Sequence, residues 1–302
     1  MALKIMLKKQ PKVSIIIVNY NGEKFLMGLL KSLKKIRYPN YEIIIVDNAS
    51  TDKSLEIIEK YSPEIKIVKN KINRGFAGGA NDGINASNPD SKYVITLNAD
   101  MIVDSDWITF SVNAMQSDKK IALVGNALLN PGESTLQTLG HLEVNGNLAK
   151  FRRLGVGKDI KYFFNQPIID VDFTWGLIKK NILKKIGLFD EKNFLMYEEA
   201  DLCRRIKDAG YRIVVATKAK IWHLESQSLK KTSAFRIYYS YRNRLRYILK
   251  HNRGFGKIYF GFILCGIYFY KILKFSFKGR FDCSLAILKG ISWNIRNFRD
   301  YF

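Results

Sequence analysis

Three short apolar runs, each closing on a polar step, constrain this chain more than any other feature. Residues 13–18, 43–46 and 93–97 are β-branched, apolar or aromatic almost throughout, with no polar face. Each is too short and too β-rich for a helix, and reads as a strand covered on both sides, as in a parallel sheet. Between the first two, Phe25, Leu26, Leu29, Leu30 and Leu33 recur at helical spacing. Residues 47–52 then offer N-cap side chains for a helix around 55–61, and a short strand is expected at 66–69. Strand, helix, strand, helix, strand is a βαβ series, so the chain is read as α/β, with right-handed crossovers.

Open α/β sheets bind ligands at the C-terminal ends of their strands. Two carboxylates stand at such ends, Asp47 and Asp100, the second closing the step Leu97-Asn98-Ala99-Asp100. An Asp there serves a nucleotide or a metal, or simply opens a turn. Between them lies a glycine-rich turn containing Gly75, Gly78, Gly79 and Gly83, which serves either tight helix–sheet packing or close approach of backbone to a ligand. Neither GxGxxG nor GxxxxGK[ST] is present, which removes the usual dinucleotide and P-loop readings.

Residues 121–172 follow a looser pattern, with short strands expected at 122–124 and 171–173 around a Gly/Asn-rich excursion. Such a stretch beside a sheet is often a substrate-facing loop. A second dense segment follows, Phe194-Leu195-Met196-Tyr197-Glu198-Glu199-Ala200-Asp201, opening a helix that Gly210 would close. Acids at a helix N-terminus complement its dipole. Adjacent Glu198 and Glu199 also raise the cost of ionising both, as suits a general base of elevated pKa. Strands are expected at 211–216 and 221–223, the latter ending in His223, which is either structural or a ligand.

The residues now on the page resemble the successive signatures of family 2 glycosyltransferases. Residues 13–21, Val46-Asp47-Asn48-Ala49-Ser50, residues 73–81 and Leu97-Asn98-Ala99-Asp100 match in order and spacing, and Gly187-Leu188-Phe189-Asp190 with residues 197–202 looks like the acceptor-side segment. The likeness covers about residues 11–226. Within the family, Leu136-Gln137-Thr138-Leu139-Gly140 and Tyr241-Arg242-Asn243-Arg244 resemble a rhamnosyltransferase-like branch.

The resemblance implies a GT-A fold, Rossmann-like, with a mostly parallel central sheet and flanking helices. It implies an inverting hexosyltransferase that takes a rhamnose-like deoxyhexose or other hexose from a dTDP-, UDP- or GDP-linked donor to a hydroxyl of a glycan or lipid-linked acceptor, in cell-surface polysaccharide or glycolipid synthesis. By position, Asn19, Tyr20, Asp47, Arg74, Asn81 and Asn98 would serve the nucleotide sugar, and Trp175, Gly176 and Glu198 the acceptor side. Glu199 would be the base and Asp201 its support. Asp100 and His223 would hold Mg²⁺ or Mn²⁺. One departure stands out: Asn98 leaves a single carboxylate where the family's DxD has two.

Charge and cysteines refine the picture. Of the formal net charge of +23, residues 228–302 contribute sixteen Lys/Arg against two acids. Such a field suits nucleic acid or an anionic membrane surface. Here the basic residues alternate with long apolar runs, which favours the membrane; the alternative is a basic nucleic-acid- or membrane-binding protein without transferase activity. With 47% hydrophobic and 25% charged residues, the chain is globular. Three cysteines (Cys203, Cys265, Cys283) without CxxC spacing fit a reducing compartment and no structural zinc. Residues 1–12 lack a signal peptide's apolar core. The expected organisation is a basic tail (1–10), a GT-A domain (11–226) and a helical, basic and apolar appendage (227–302). Its apolar core, residues 258–270, reaches only about 20 Å as a helix, short of a bilayer core. An interfacial or re-entrant helix, a true span or a helical cap would each satisfy it. The expected location is cytoplasmic, peripheral or monotopic at the inner face of the cell membrane, with no nucleic-acid partner.

Overall fold

The computed structural model describes residues 10–224 and 233–301. The expected basic tail, apart from Gln10, and the expected boundary at 226–227 lie outside the described residues.

In chain order the strands are β1 Val13–Asn19, β2 Tyr41–Asp47, β3 Lys66–Lys69, β4 Tyr93–Asn98, β5 Met101–Val103, β6 Ile121–Leu129, β7 Leu136–Thr138, β8 His141–Asn145, β9 Lys150–Arg153, β10 Ile168–Asp170, β11 Gly176–Lys179 and β12 Arg212–His223. The helices are α1 Glu23–Leu33, α2 Ser54–Tyr61, α3 Gly75–Ala86, α4 Trp107–Ser117, α5 Lys180–Ile186, α6 Glu198–Asp208, α7 Ala234–His251, α8 Phe255–Phe277 and α9 Phe281–Arg296.

The main sheet runs β10-β12-β6-β11-β4-β1-β2-β3. Strands β3, β2, β1 and β4 are parallel, as are β6 and β12, and the antiparallel β11 joins the two groups. This is a GT-A type α/β architecture. The uninterrupted apolar runs follow from the layering. Along β1, Ile15 and Ile17 point into the core beneath α1 and α4, while Ile16 and Val18 point into a second core beneath α3 and α6. Since both faces of the strand are buried, neither tolerates a polar side chain.

Four details differ from the sequence reading. The glycine-rich stretch is the helix α3, not a turn. A Cβ at Gly83 would fall 2.2 Å from Ile16 Cγ2, and one at Gly79 would fall 2.9 Å from Val18 Cγ1, so these two glycines let α3 lie against β1. Residues 212–223 form one twelve-residue strand instead of two, with a register shift between Ala216 and Lys220. The strand expected at 171–173 sits three residues earlier, as β10, and the one at 122–124 lies in the N-terminal half of the longer β6. Finally, α8 continues past Lys271 to 23 residues, about 34 Å.

Helices α7–α9 pack on one another and against the start of α6. Their shared core takes in Ala149 and Ala200 with Leu245, Ile248, Leu264, Tyr268 and Ile287, and Tyr197 and Phe173 pack against it. On α8, Gly261, Leu264 and Tyr268 face inward, whereas Phe255, Phe262, Phe269 and Phe277 are exposed. On α9, Phe281, Leu285, Leu288 and Ile295 form a matching exposed stripe.

Candidate active site

The parallel register brings the expected nucleotide residues to one edge. Asn19 pairs with Asp47 and Val18 with Asn98, so the ends of β1, β2 and β4 lie side by side. Asn19 and Asp47 are buried and tied together: Asn19 Nδ2 donates to Asp47 Oδ1 (2.9 Å) and to Ser50 Oγ (3.0 Å), and the Ser50 amide donates to Asp47 Oδ2 (3.0 Å). Asn19 Oδ1 is buried without a hydrogen-bond partner among the described residues. Tyr20 and Asn98 are exposed above them. Gly22 is required here, since a Cβ would lie 2.2 Å from Asn19 Oδ1 and 2.9 Å from Ala99 Cβ.

Asp100 is brought against His223 by the antiparallel pairing of β5 with β12, in which Met101 faces His223. The Leu224 amide donates to the Asp100 carbonyl (3.0 Å), locking the two segments together. Asp100 Oδ2 lies 3.3 Å from His223 Nε2. Asp100 Oδ1 is buried with no hydrogen-bond partner among the described residues. Behind the imidazole, Gln137 Oε1 sits 3.2 Å from His223 Nδ1, and Gln137 Nε2 donates to the His223 carbonyl (2.8 Å). Nδ1 thus has Gln137 as its partner while Nε2 is the ring nitrogen that faces Asp100, the placement of a ligating histidine with an outer partner.

Among the described residues no three His, Cys, Asp or Glu side chains form a metal cluster. One unpartnered carboxylate oxygen and one oriented imidazole nevertheless fit a divalent ion that draws its remaining ligands from diphosphate and water, as Mg²⁺ commonly does.

The acid segment stands on the other side. Because β11 is antiparallel to β4, its N-terminal end, Trp175-Gly176, arrives at the edge where β4 ends. Trp175 is half-buried, and Gly176 is obligatory, since a Cβ would fall 2.0 Å from the Val124 carbonyl oxygen. Helix α6 rests beside this end through Cys203, whose Sγ contacts the Thr174 carbonyl at 3.1 Å. Glu199 lies one turn before Cys203 on the same helix face, and its charge acts on the Cys203 thiol.

Glu198 is buried, and its Oε2 has no hydrogen-bond partner among the described residues. Burial, then the neighbouring Glu199 charge, pushes the Glu198 carboxyl well above the usual range. Burial pushes Glu199 up to about 7. Glu198 therefore holds its proton near neutrality and Glu199 titrates there, although both stand at a helix N-terminus, where the dipole favours charge.

Three expected site residues do other work. Asp201 is two residues from Glu199, hence on the far side of α6. There it bonds Arg205 Nε (2.9 Å), Lys250 Nζ (2.7 Å) and His251 Nε2 (2.8 Å), tying α6 to α7. Burial alone would raise its carboxyl; His251, Arg205 and Lys250 outweigh burial and hold it far below the usual carboxylate range. Asp201 thus braces α6 against α7. Arg74 is ion-paired with Asp82 and with Glu191 (2.6 Å). Asn81 exchanges hydrogen bonds with the Phe189 backbone (2.9 and 3.0 Å) and donates to Glu191 Oε1 (2.9 Å). Both fasten α3 to the 188–191 segment. An open groove of about 480 Å³, lined by Pro89, Asp90, Lys92, Lys179 and Lys184, lies at the opposite end of β4 and shares no residue with the site.

Sequence reading missed Gln137 as the partner of His223, and missed the grip of Asn243 on residues 193–196. Both positions stood in segments that resemble the family, yet nothing in their spacing indicates what they touch.

The family model described as glycosyl transferase family 2 matches residues 14–187, more than half of the chain. The chain belongs to glycosyl transferase family 2. The poly-beta-1,6-N-acetyl-D-glucosamine synthase of Staphylococcus epidermidis is 25% identical to this transferase over 223 residues, 72% of this chain and 51% of that one. The transferase thus spans about half the length of such curated relatives. Among solved structures, the mannosyltransferase PcManGT of Pyrobaculum calidifontis, in complex with GDP-Man and Mn2+, aligns with a TM-score of 0.59 at 13% identity, covering 95% of this chain and 88% of that one. S. aureus TarS 1-349 in complex with UDP-GlcNAc gives a TM-score of 0.52 at 21% identity, over 82% and 69%. At these identities the likeness establishes the fold, and the family match establishes membership of glycosyl transferase family 2.

Proposed function

We propose that this transferase is an inverting, metal-assisted enzyme that moves a hexose or deoxyhexose from a nucleotide-diphosphate sugar to a hydroxyl of a glycan or lipid-linked acceptor at a membrane surface. The observation that carries this reading is Asp100: a buried carboxylate oxygen without a partner, beside an oriented imidazole, at the edge where the fold collects ligands. Asp100 and His223 would hold Mg²⁺ or Mn²⁺, which when bound neutralises negative charge on the departing diphosphate. Asn19, Tyr20 and Asn98 line the donor side of this edge, and Asp47 shapes it by fixing Asn19.

Glu199 supplies the base. It takes the proton of the acceptor hydroxyl as that oxygen bonds to the anomeric carbon. The bond from that carbon to the diphosphate oxygen breaks, and its electron pair leaves with the nucleoside diphosphate. A carboxyl raised to about 7 is half ionised near neutrality, where a base is most effective.

The branch likeness argues for a deoxyhexose such as rhamnose, whereas one structural neighbour was solved with UDP-GlcNAc and another with GDP-Man. A thermal-shift panel of dTDP-rhamnose, UDP-GlcNAc and GDP-mannose, with and without Mn²⁺, decides among them. One donor should raise the melting temperature in a Mn²⁺-dependent way. No shift with any of the three, or with their free nucleotides, would overturn the reading.

The membrane part rests on α8 and α9. Helix α8 is apolar along most of its 23 residues and largely exposed, and the surrounding segment carries the chain's main positive excess. Exposed stripes of Phe, Leu and Ile flanked by Lys and Arg suit a helix pair lying in the interface of an anionic leaflet. Full-length enzyme should sediment with phosphatidylserine vesicles. Replacement of Phe255, Phe262, Phe269 and Phe277 by Ser should release it, and equal retention of the two proteins would defeat the membrane reading.

A further inference from the structure

The segment leading into α6 follows a path that L-residues avoid. Phe194, Met196 and Tyr197 have φ of 60°, 69° and 69°. Such a run persists only where its surroundings over-determine it, and here the restraint comes from α7. Asn243, wholly buried, directs Nδ2 at the carbonyls of Asn193 (2.7 Å), Leu195 (2.8 Å) and Met196 (2.8 Å). Two N–H groups serve three acceptors, so one bond is three-centred.

Arg242 fixes the amide in turn. Its Nε donates to Asn243 Oδ1 (2.7 Å), and its Nη2 donates to the carbonyls of Lys192 (2.5 Å) and Asn193 (2.9 Å). The guanidinium is packed over the rings of Tyr239 and Trp293, 4.6 and 4.5 Å from their centroids. From the opposite side, the Phe76 amide at the start of α3 donates to the Phe194 carbonyl (2.8 Å), and Gly75 is the only residue type that fits, since its Cβ would lie 2.2 Å from that oxygen. The strained turn is thus gripped by a helix from each end of the chain.

We propose that Asn243 is a positioning residue for sugar transfer: it holds residues 193–196 in the left-handed path that delivers Glu198 and Glu199 to the buried start of α6. The proposal rests on the reading of Glu199 as base. It makes α7 part of the catalytic unit, although the family match ends at residue 187. Asn243 touches neither donor nor acceptor and acts only through the backbone it grips.

The test compares full-length wild type with Asn243→Ala, which removes the donors, and Asn243→Asp, which keeps the shape and sets an acceptor against three carbonyls. Ile248→Val, in the core of the same helix, controls for loss of stability, and Glu199→Gln tests the base. Hydrolysis of dTDP-rhamnose, UDP-GlcNAc and GDP-mannose, normalised to folded enzyme, gives kcat; calorimetry with dTDP, UDP and GDP in Mn²⁺ gives nucleotide affinity; hydrogen exchange reports on residues 194–199. Both Asn243 variants should exchange faster across 194–199 and lose about 10²-fold in kcat, with nucleotide affinity at the wild-type level. Native protection of that segment, or a kcat per folded molecule equal to that of Ile248→Val, overturns the proposal. An active Glu199→Gln enzyme overturns the base reading and the catalytic half of the proposal together, whereas an inactive Glu199→Gln beside a fully active Asn243→Ala overturns the proposal alone.

Discussion

Replacing Glu199 by Gln should make the protein more stable in alkali while abolishing transfer. The Glu199 carboxyl is raised by burial from its ordinary 4.5 to about 7. Below pH 4.5 it is neutral in the folded and the unfolded chain alike. Between 4.5 and 7 the unfolded chain releases this proton and the folded chain keeps it, so stability falls as pH rises, and the loss levels off above 7. A displacement of this size corresponds to roughly 3 kcal/mol, an upper limit because part of the side chain meets solvent. Glutamine has nearly the same shape and nothing to ionise, so Glu199→Gln escapes that loss. Thermal unfolding of the two proteins should coincide at pH 4, and the variant should melt about 5 °C higher at pH 8.5. Over the same range its transfer rate should be lower by about 10²–10⁴-fold. Equal melting temperatures at both pH values would show that Glu199 is not desolvated, and near-normal turnover would remove it from the chemistry.

Other consequences are open to measurement. In the wild type, kcat should rise about tenfold per pH unit up to an acidic limb near pH 7 and then level off; a limb near 4.5 would contradict the buried setting of Glu199. Asp201→Ala leaves Lys250, Arg205 and His251 without their shared carboxylate and should cost about 3–5 kcal/mol in denaturant unfolding, with kcat per folded molecule within a few fold; a selective loss of kcat would restore Asp201 to the chemistry. Gly83→Ala drives a methyl against Ile16 and should cost about 1–3 kcal/mol, and unchanged stability would refute the packing role given to that glycine.

What the sequence makes legible here is whatever depends on period and order. The apolar runs of β1, β2 and β4 declare a sheet buried on both faces, and their C-terminal residues Asn19, Asp47 and Asn98 meet because parallel strands in register must end together. The errors have local causes. Lys218 and Lys220 interrupt the apolar pattern where β12 shifts register, so one strand reads as two. Lys271 and Lys274 interrupt α8, so a 23-residue helix reads as thirteen. Glycines spaced along α3 read as a turn because glycine is a poor helix former; the compensating contact with Ile16 and Val18 lies on another strand. The role expected for Asp201 was open to challenge from spacing alone, since two residues along a helix face nearly opposite ways. Nothing local reveals that Asn243 grips residues 193–196 or that Gln137 orients His223. Those contacts span 50 and 86 residues and exist only once the chain has folded.

The central claim is a two-sided site, with Asp100 serving the donor and Glu199 the chemistry. Calorimetric titration of UDP, GDP and dTDP into wild type, Asp100→Ala and Glu199→Gln, each with and without Mn²⁺, tests it most directly. The account predicts Mn²⁺-dependent binding of one nucleotide by wild type and Glu199→Gln alike, and about tenfold or weaker binding by Asp100→Ala. Identical Mn²⁺-dependent affinity in all three proteins would contradict it.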